Sequence, residues 1–138
     1  MPITREEEIA VLYALHCCGG KATKSRVVEF IIRNELLQPR AGDDDVVSSG
    51  ESRIANRIAW SRENLKEKKQ LTMPEIGTWQ ITDAGRERLF RLAARLFGDS
   101  EGSVQLLDDL MWDRFTPCFL EKLRKVGERN QSSSQGQQ

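Results

Sequence analysis

The chain has 138 residues, 38% of them apolar and 30% charged, and its 21 Lys and Arg are matched by 21 Asp and Glu. That length suits one compact domain with modest additions, and the composition is that of a globular chain, not a disordered or fibrous one. No apolar run approaches a membrane span and residues 1–8 lack the apolar stretch of a secretory signal, so a cytoplasmic protein with no membrane partner is expected.

Thr4 followed by Glu7 has the spacing of a capping box, and it opens a helix carrying Ile9, Leu12, Tyr13 and Leu15 that Gly19-Gly20 ends. Cys17 and Cys18 stand at that end beside His16, the single histidine, and the third cysteine is Cys118. An odd number of cysteines without spaced ligand pairs reads as reduced thiols, so no metal site, cofactor or disulfide framework is expected. A second helix starts near Thr23, bears Val27, Val28, Phe30, Ile31 and Ile32, and fades by Leu37-Gln38-Pro39. Residues 40–50 read as an exposed loop, and its acidic run Asp43-Asp44-Asp45 has no neighbour suited to acid–base chemistry.

Ser49 or Ser52 caps a third helix that runs to about Lys69. At ~100° per residue Ile54, Ile58, Ser61 and Leu65 share one side, and Arg53, Asn56, Arg57, Trp60 and Asn64 share the other. Between Glu51 and Lys69 six basic residues face three acidic ones, so the evenly balanced charge of the chain is segregated. Burying the isoleucines turns a polar, basic front with Arg and Asn outward, the residue types that read base edges in a major groove.

Leu71-Thr72-Met73 and Trp79-Gln80-Ile81 read as two short strands around a turn at residues 74–78, a β-hairpin directly after the basic helix. Trp79 and Ile81 are assigned to the core, Gly77 to a tight turn and Gly85 to close helix packing. Thr82 caps a fourth helix with Leu89, Phe90, Leu92, Ala93, Leu96 and Phe97, broken at residues 98–102. Residues 103–129 read as helical again, with a fresh start at Thr116-Pro117. The fold class expected is mainly α (α+β): a winged helix–turn–helix with a short hairpin wing and additional C-terminal helices. Residues 1–98 form that domain, 99–129 a helical extension, and 130–138 a disordered Ser/Gln/Gly tail. The stripe Trp112, Phe115 and Phe119 either packs on the domain or forms a self-association surface for a homodimer.

The run from Arg53 to Lys66, with its Asn56-Arg57-Ile58-Ala59-Trp60-Ser61-Arg62 centre and Leu65, resembles the N-terminal domain of Mrr-type restriction-system proteins. So does Gly77-Thr78-Trp79-Gln80-Ile81-Thr82-Asp83-Ala84-Gly85 at its spacing from that helix, and the likeness spans roughly residues 4–95. The resemblance implies a winged helix that brings a nuclease to double-stranded DNA, often modified DNA, and points to Arg53, Asn56, Arg57, Arg62 and the turn at Gly77. Ile76, preceded by Glu75, departs from the basic residue that many relatives carry before the wing glycine. The nuclease domain that follows in such proteins is not expected here. Glu67-Lys68-Lys69 matches the spacing of a nuclease triplet, but it sits at a helix end instead of a strand and reads as a solvated terminus.

The expected interface therefore comprises Ser52, Arg53, Asn56, Arg57, Trp60, Arg62, Asn64, Gly77 and Thr78, with Trp60 open to either packing or stacking, and with no catalytic residue. The function expected is a DNA-binding module directed by sequence or modification, with a nuclease or restriction-system subunit as partner. A transcriptional regulator and a protein-interaction adaptor built on the same fold are the alternatives.

Overall fold

The structure is a computed structural model that describes residues 5–39, 42, 45–46, 52–98 and 112–136, the side chains of Trp112 and of 130–136 excepted. The elements run α1 (Arg5–Cys17), β1 (Lys21–Thr23), α2 (Lys24–Arg33), α3 (Arg53–Glu67), β2 (Leu71–Glu75), β3 (Thr78–Ile81), α4 (Asp83–Gly98), a 3-10 turn (Trp112–Arg114) and α5 (Pro117–Gly136). Helices surrounding a small antiparallel sheet of order β1-β3-β2 make this a mainly α, winged-helix-like fold.

Helix α1 is the axis. From Ile9 to Leu15 it has no polar face, and a helix apolar on every side must be enclosed on every side. Residues Glu6 to Leu15 are all buried, and α2, α3, α4 and the sheet pack around them. Gly19 ends α1 at φ +84°, the left-handed position that suits a residue without Cβ. The chain then turns directly into β1, whose Ala22 pairs with Trp79 of β3. This strand was not legible from Lys21-Ala22-Thr23, three residues that become a strand only because β3 is there to pair with.

Thr23 caps α2 by accepting the Arg26 N–H at 3.2 Å. Val27 and Ile31 face inward, whereas Ile32, read with them as apolar wedge, is 50% exposed because it lies on the far side of so short a helix. Of the two candidate caps of α3, Ser52 accepts the Ala55 N–H at 3.3 Å, and Ser49 lies outside the described residues. Helix α3 stops at its C-terminal end in a Schellman arrangement, with the Gln70 N–H donating to the Leu65 carbonyl at 2.9 Å and Lys69 at φ +60°.

The hairpin follows at once. Leu71 pairs with Ile81 and Thr72 with Gln80, then a bulge at Met73-Pro74 shifts the register before Glu75 meets Thr78. Strand β2 lies at the sheet edge, where a proline removes no ladder hydrogen bond. Trp79 and Ile81 are buried, as their alternation requires. Thr82 links three elements: its hydroxyl donates to the Lys69 carbonyl at 2.7 Å and accepts the Gly85 N–H at 3.2 Å. Gly85 is needed there, since a Cβ would stand 2.4 Å from the Gln70 carbonyl oxygen.

The C-terminal part closes back on this frame. Leu37 forms an antiparallel bridge with Phe115, and Gln38 N–H donates to the Arg114 carbonyl at 2.6 Å. Thr116 donates to the Glu35 carbonyl and accepts the Phe119 N–H, capping α5 with Pro117 in its first turn. Phe119 stacks edge-on against Tyr13 of α1, ring centroids 5.3 Å apart, and α5 crosses α4 where Gly127 lies against the Ala93 backbone. Phe115 and Phe119 are 2% and 0% exposed and fill this chain's own core, in keeping with the first of the two alternatives for that stripe. The side chain of Trp112 lies outside the described residues. Helix α5 runs to Gly136.

The cap at Thr4, most of the loop at 40–51, and residues 99–111 with the start of the expected C-terminal helix lie outside the described residues. No helix among those described is long and apolar enough to cross a membrane. Phe119→Ala is expected to cost about 3–5 kcal/mol of stability in urea unfolding, with no change in oligomeric state beyond that caused by unfolding.

Candidate nucleic-acid interface

Helix α3 presents three flanks. Ile58, Ser61 and Leu65 are buried against the core, and the Ser61 hydroxyl is satisfied by donating to the Ile58 carbonyl at 2.6 Å. The flank toward α1 carries Arg57 and Asn64. The Nε of Arg57, a side chain only 13% exposed, lies 3.3 Å from Oε1 of Glu7, and Asn64 donates to Oε2 of Glu8 at 3.5 Å. The flank toward the hairpin carries Arg62, whose guanidinium lies 5.9 Å from the Trp79 ring centroid, donates to the Met73 sulfur at 3.6 Å and pairs with Glu63.

The outward face of α3 is therefore narrower than the helical wheel implies. Arg57, Arg62 and Asn64 have intramolecular partners; Arg53, Trp60, Lys66 and Glu67 are exposed, and Asn56 and Glu63 are half-buried, Glu63 lying between Arg62 and Lys66. Arg53 is exposed, Asn56 half-buried, and Trp60 is 36% exposed at the edge of the helix. Ser52 spends its oxygen on the helix cap. At the hairpin tip Gly77 holds φ +81° with open space around it, Thr78 is half-buried, and Ile76 beside them projects fully into solvent. The triplet Glu67-Lys68-Lys69 is split: Glu67 closes α3, Lys68 pairs with Glu8 and Lys69 occupies the left-handed stop.

Three buried carboxylates organise these flanks. Glu6, Glu7 and Glu8 are 2%, 0% and 2% exposed. Oε1 of Glu7 faces Arg57 and also Nη1 of Arg114, at 3.0 Å, while Glu6 lies 3.6 Å from the same Arg114 nitrogen. Oε1 of Glu8 receives Lys68 at 2.7 Å and Arg88 at 2.8 Å. Buried carboxylates at helix α1 thus tie down α3, α4 and the segment leading into α5. Sequence reading took Glu7 for a cap partner and missed the cluster. The signal was present: a helix with no polar face must enclose the acids at its start, and enclosed acids need cations.

The other end of α1 carries the thiols. Tyr13 hydrogen-bonds Cys17, and burial first, with the neighbouring thiols, raises the phenol well above its ordinary range. Burial also raises the Cys17 thiol. His16 meets the Phe90 ring edge-on at 5.3 Å, and burial, followed by the nearby Arg86 and Arg129 charges, lowers its pKa. Among the described residues no group of His, Cys, Asp and Glu is arranged to hold a metal ion.

The order α1-β1-α2-α3-β2-β3, with a partly exposed α3 followed by a free hairpin tip, defines a winged-helix-like domain. Family comparison agrees: the Mrr N-terminal domain profile matches residues 8–91, more than half of the chain, and the protein belongs to that family. That span runs from Glu8 through the hairpin to Arg91 of α4. No curated protein and no solved structure matches the chain.

Burial decides how much each ion pair contributes. Arg114→Ala, which takes from Glu6 and Glu7 a buried cation that they share, is expected to cost on the order of 3–5 kcal/mol in urea unfolding. Arg33→Ala, removing an exposed partner of Glu29 on α2, is expected to stay within about 0.5 kcal/mol of the parent.

Proposed function

We propose that this domain docks on double-stranded DNA, laying the N-terminal half of α3 in the major groove with the hairpin tip beside it. The observation that carries the reading is the stretch of exposed Arg53 and Trp60 with half-buried Asn56, set on a helix packed from behind and flanked by a projecting turn. Base contacts in helix–turn–helix docking come from the N-terminal residues of the recognition helix. Glu63 and Glu67 lie in the C-terminal half, where Glu63 also draws on Lys66 at 4.0 Å, so base contact is concentrated at Arg53 and Asn56. Arg has the fork that reads guanine, and Asn the donor and acceptor that read adenine. Arg57 and Asn64 serve this reading as positioning residues that fix the rotation of α3 about its axis. Trp60 covers the edge between them.

Family membership supports a restriction-system role, in which the domain supplies DNA recognition, including of methylated duplex, and a nuclease partner supplies the cut. The described residues have no part in the cleavage chemistry under this reading, and it places the protein in the cytoplasm with its DNA. The domain boundary at residue 98 is a boundary of recognition, while 112–136 stabilise the frame. A second reading, a protein-binding adaptor, is favoured by one feature: Ile76 stands fully exposed next to Glu75 at the tip where phosphate contact calls for a cation.

Fluorescence polarisation with methylated and unmethylated duplex libraries at 50 mM salt is the test. Binding that weakens steeply as salt rises is expected, with Arg53→Ala losing about tenfold in affinity and Asn56→Ala relaxing the sequence preference. A protein that ignores duplex DNA at low salt, whatever its methylation, contradicts the proposal. So does cleavage of DNA by the purified chain with Mg²⁺, for the assignment of the cut to a partner.

A further inference from the structure

A cleft of about 570 Å³ opens where the start of α1, the end of α3 and the first half of α4 converge, lined by Arg5, Lys68, Gln70, Ala84, Glu87, Arg88 and Arg91. Four of these carry positive charge. Two carboxylates oppose them: Glu87, which takes Arg91 at 2.5 Å, and the buried Glu8 behind the cleft, which takes both Lys68 and Arg88 on one oxygen. The local balance is positive although the chain as a whole is neutral.

The arrangement differs from a solvated scatter of surface lysines. Lys68 and Arg88 are held at 2.7 and 2.8 Å from Glu8 Oε1, and Arg88 also donates to Gln70 Oε1 at 2.9 Å. Their side chains are thus ordered before any ligand arrives, which removes most of the rotamer cost of binding. An ammonium has three donors and a guanidinium five, so each keeps donors beyond those Glu8 and Gln70 accept. Arg88 is only 18% exposed, Arg91 69%, and the cleft therefore combines a buried cation at its base with an exposed one at its rim. Ala84 leaves the space between them open. A concave surface of one sign concentrates the opposite charge.

We infer that this cleft is a phosphate site, and that it holds a backbone phosphodiester of the duplex lying along α3. The identity of the donor rests on the DNA reading above; the anion chemistry does not. Lys68 and Gln70 are continuous with the C-terminal end of α3, and a helix seated in a major groove has a phosphate strand passing beyond each end. The site adds a backbone contact to the half of α3 where Glu63 and Glu67 offset the exposed Lys66.

The test measures DNA affinity from 50 to 200 mM salt for the parent, for Arg5→Ala with Arg91→Ala, and for Arg33→Ala as a control on α2. Removing one phosphate contact lowers the slope of log affinity against log salt by about one unit. That decrease is expected in the double variant and not in the control. A parent that binds DNA while the double variant keeps its slope and affinity overturns the phosphate site and leaves the DNA reading intact. If the parent itself ignores DNA, the DNA reading fails, and thermal unfolding in inorganic phosphate against chloride at equal ionic strength decides the cleft. Stabilisation present in the parent and lost in the double variant then retains an anion site for a small phosphate. Its absence overturns the inference.

Discussion

The carboxylates of Glu6, Glu7 and Glu8, enclosed at the start of a helix with no solvent face, are the constraint on which the rest of this fold depends. Charges taken out of water are costly unless they are paired and hydrogen-bonded, and removing one partner of a buried pair is far worse than never having it. The chain therefore has few ways to assemble. Arg57 and Asn64 must face α1, Lys68 and Arg88 must converge on Glu8, and Arg114 must be brought to Glu6 and Glu7 from a distant part of the sequence.

This requirement links stability to the proposed interface. Apolar packing of Ile58 and Leu65 fixes which side of α3 is buried, but a smooth aliphatic contact tolerates some rotation about the helix axis. Ion pairs on the adjoining flank tolerate much less, because Arg57 and Lys68 sit near opposite ends of the helix and reach different carboxylates. The stretch at Arg53, Asn56 and Trp60 is what remains once those demands are met. Its position is inherited from α1. The same carboxylates recruit the C-terminal segment: Arg114 enters the interior just before Phe115 and Phe119 fill the space beside Tyr13. Among the described residues beyond the family match, Arg114, Phe115 and Phe119 are thus built into the frame of the winged-helix-like domain.

Much of the architecture was legible in the residues. The alternation of Trp79 and Ile81, the Ser52 and Thr82 caps and the Thr116-Pro117 start correspond to local rules, and the structure follows each of them. What escaped was set by neighbours. Strand β1 exists only as a partner of β3. The outward face of α3 was drawn too wide because a wheel shows which residues oppose the isoleucines, not that the helix packed alongside carries buried acids that draw in Arg57 and Asn64. For Phe115 and Phe119 the residues left packing and self-association equally open, because the space beside Tyr13 is not written in their spacing. The candidate interface was thus half readable: Arg53, Asn56 and Trp60 keep an outward position, whereas Arg57, Arg62 and Asn64 are engaged within the molecule.

The pairing of Glu7 with Arg57 is the point at which this account is most exposed. A double-mutant cycle with Glu7→Ala and Arg57→Ala, read by urea unfolding at low and high salt, isolates the pair from everything else each side chain touches. The account predicts that the double variant loses less than the two single variants together by at least about 1 kcal/mol, nearly independent of salt because the pair is buried. Losses that simply add, within about 0.5 kcal/mol, would show that the two helices are held in register by something else.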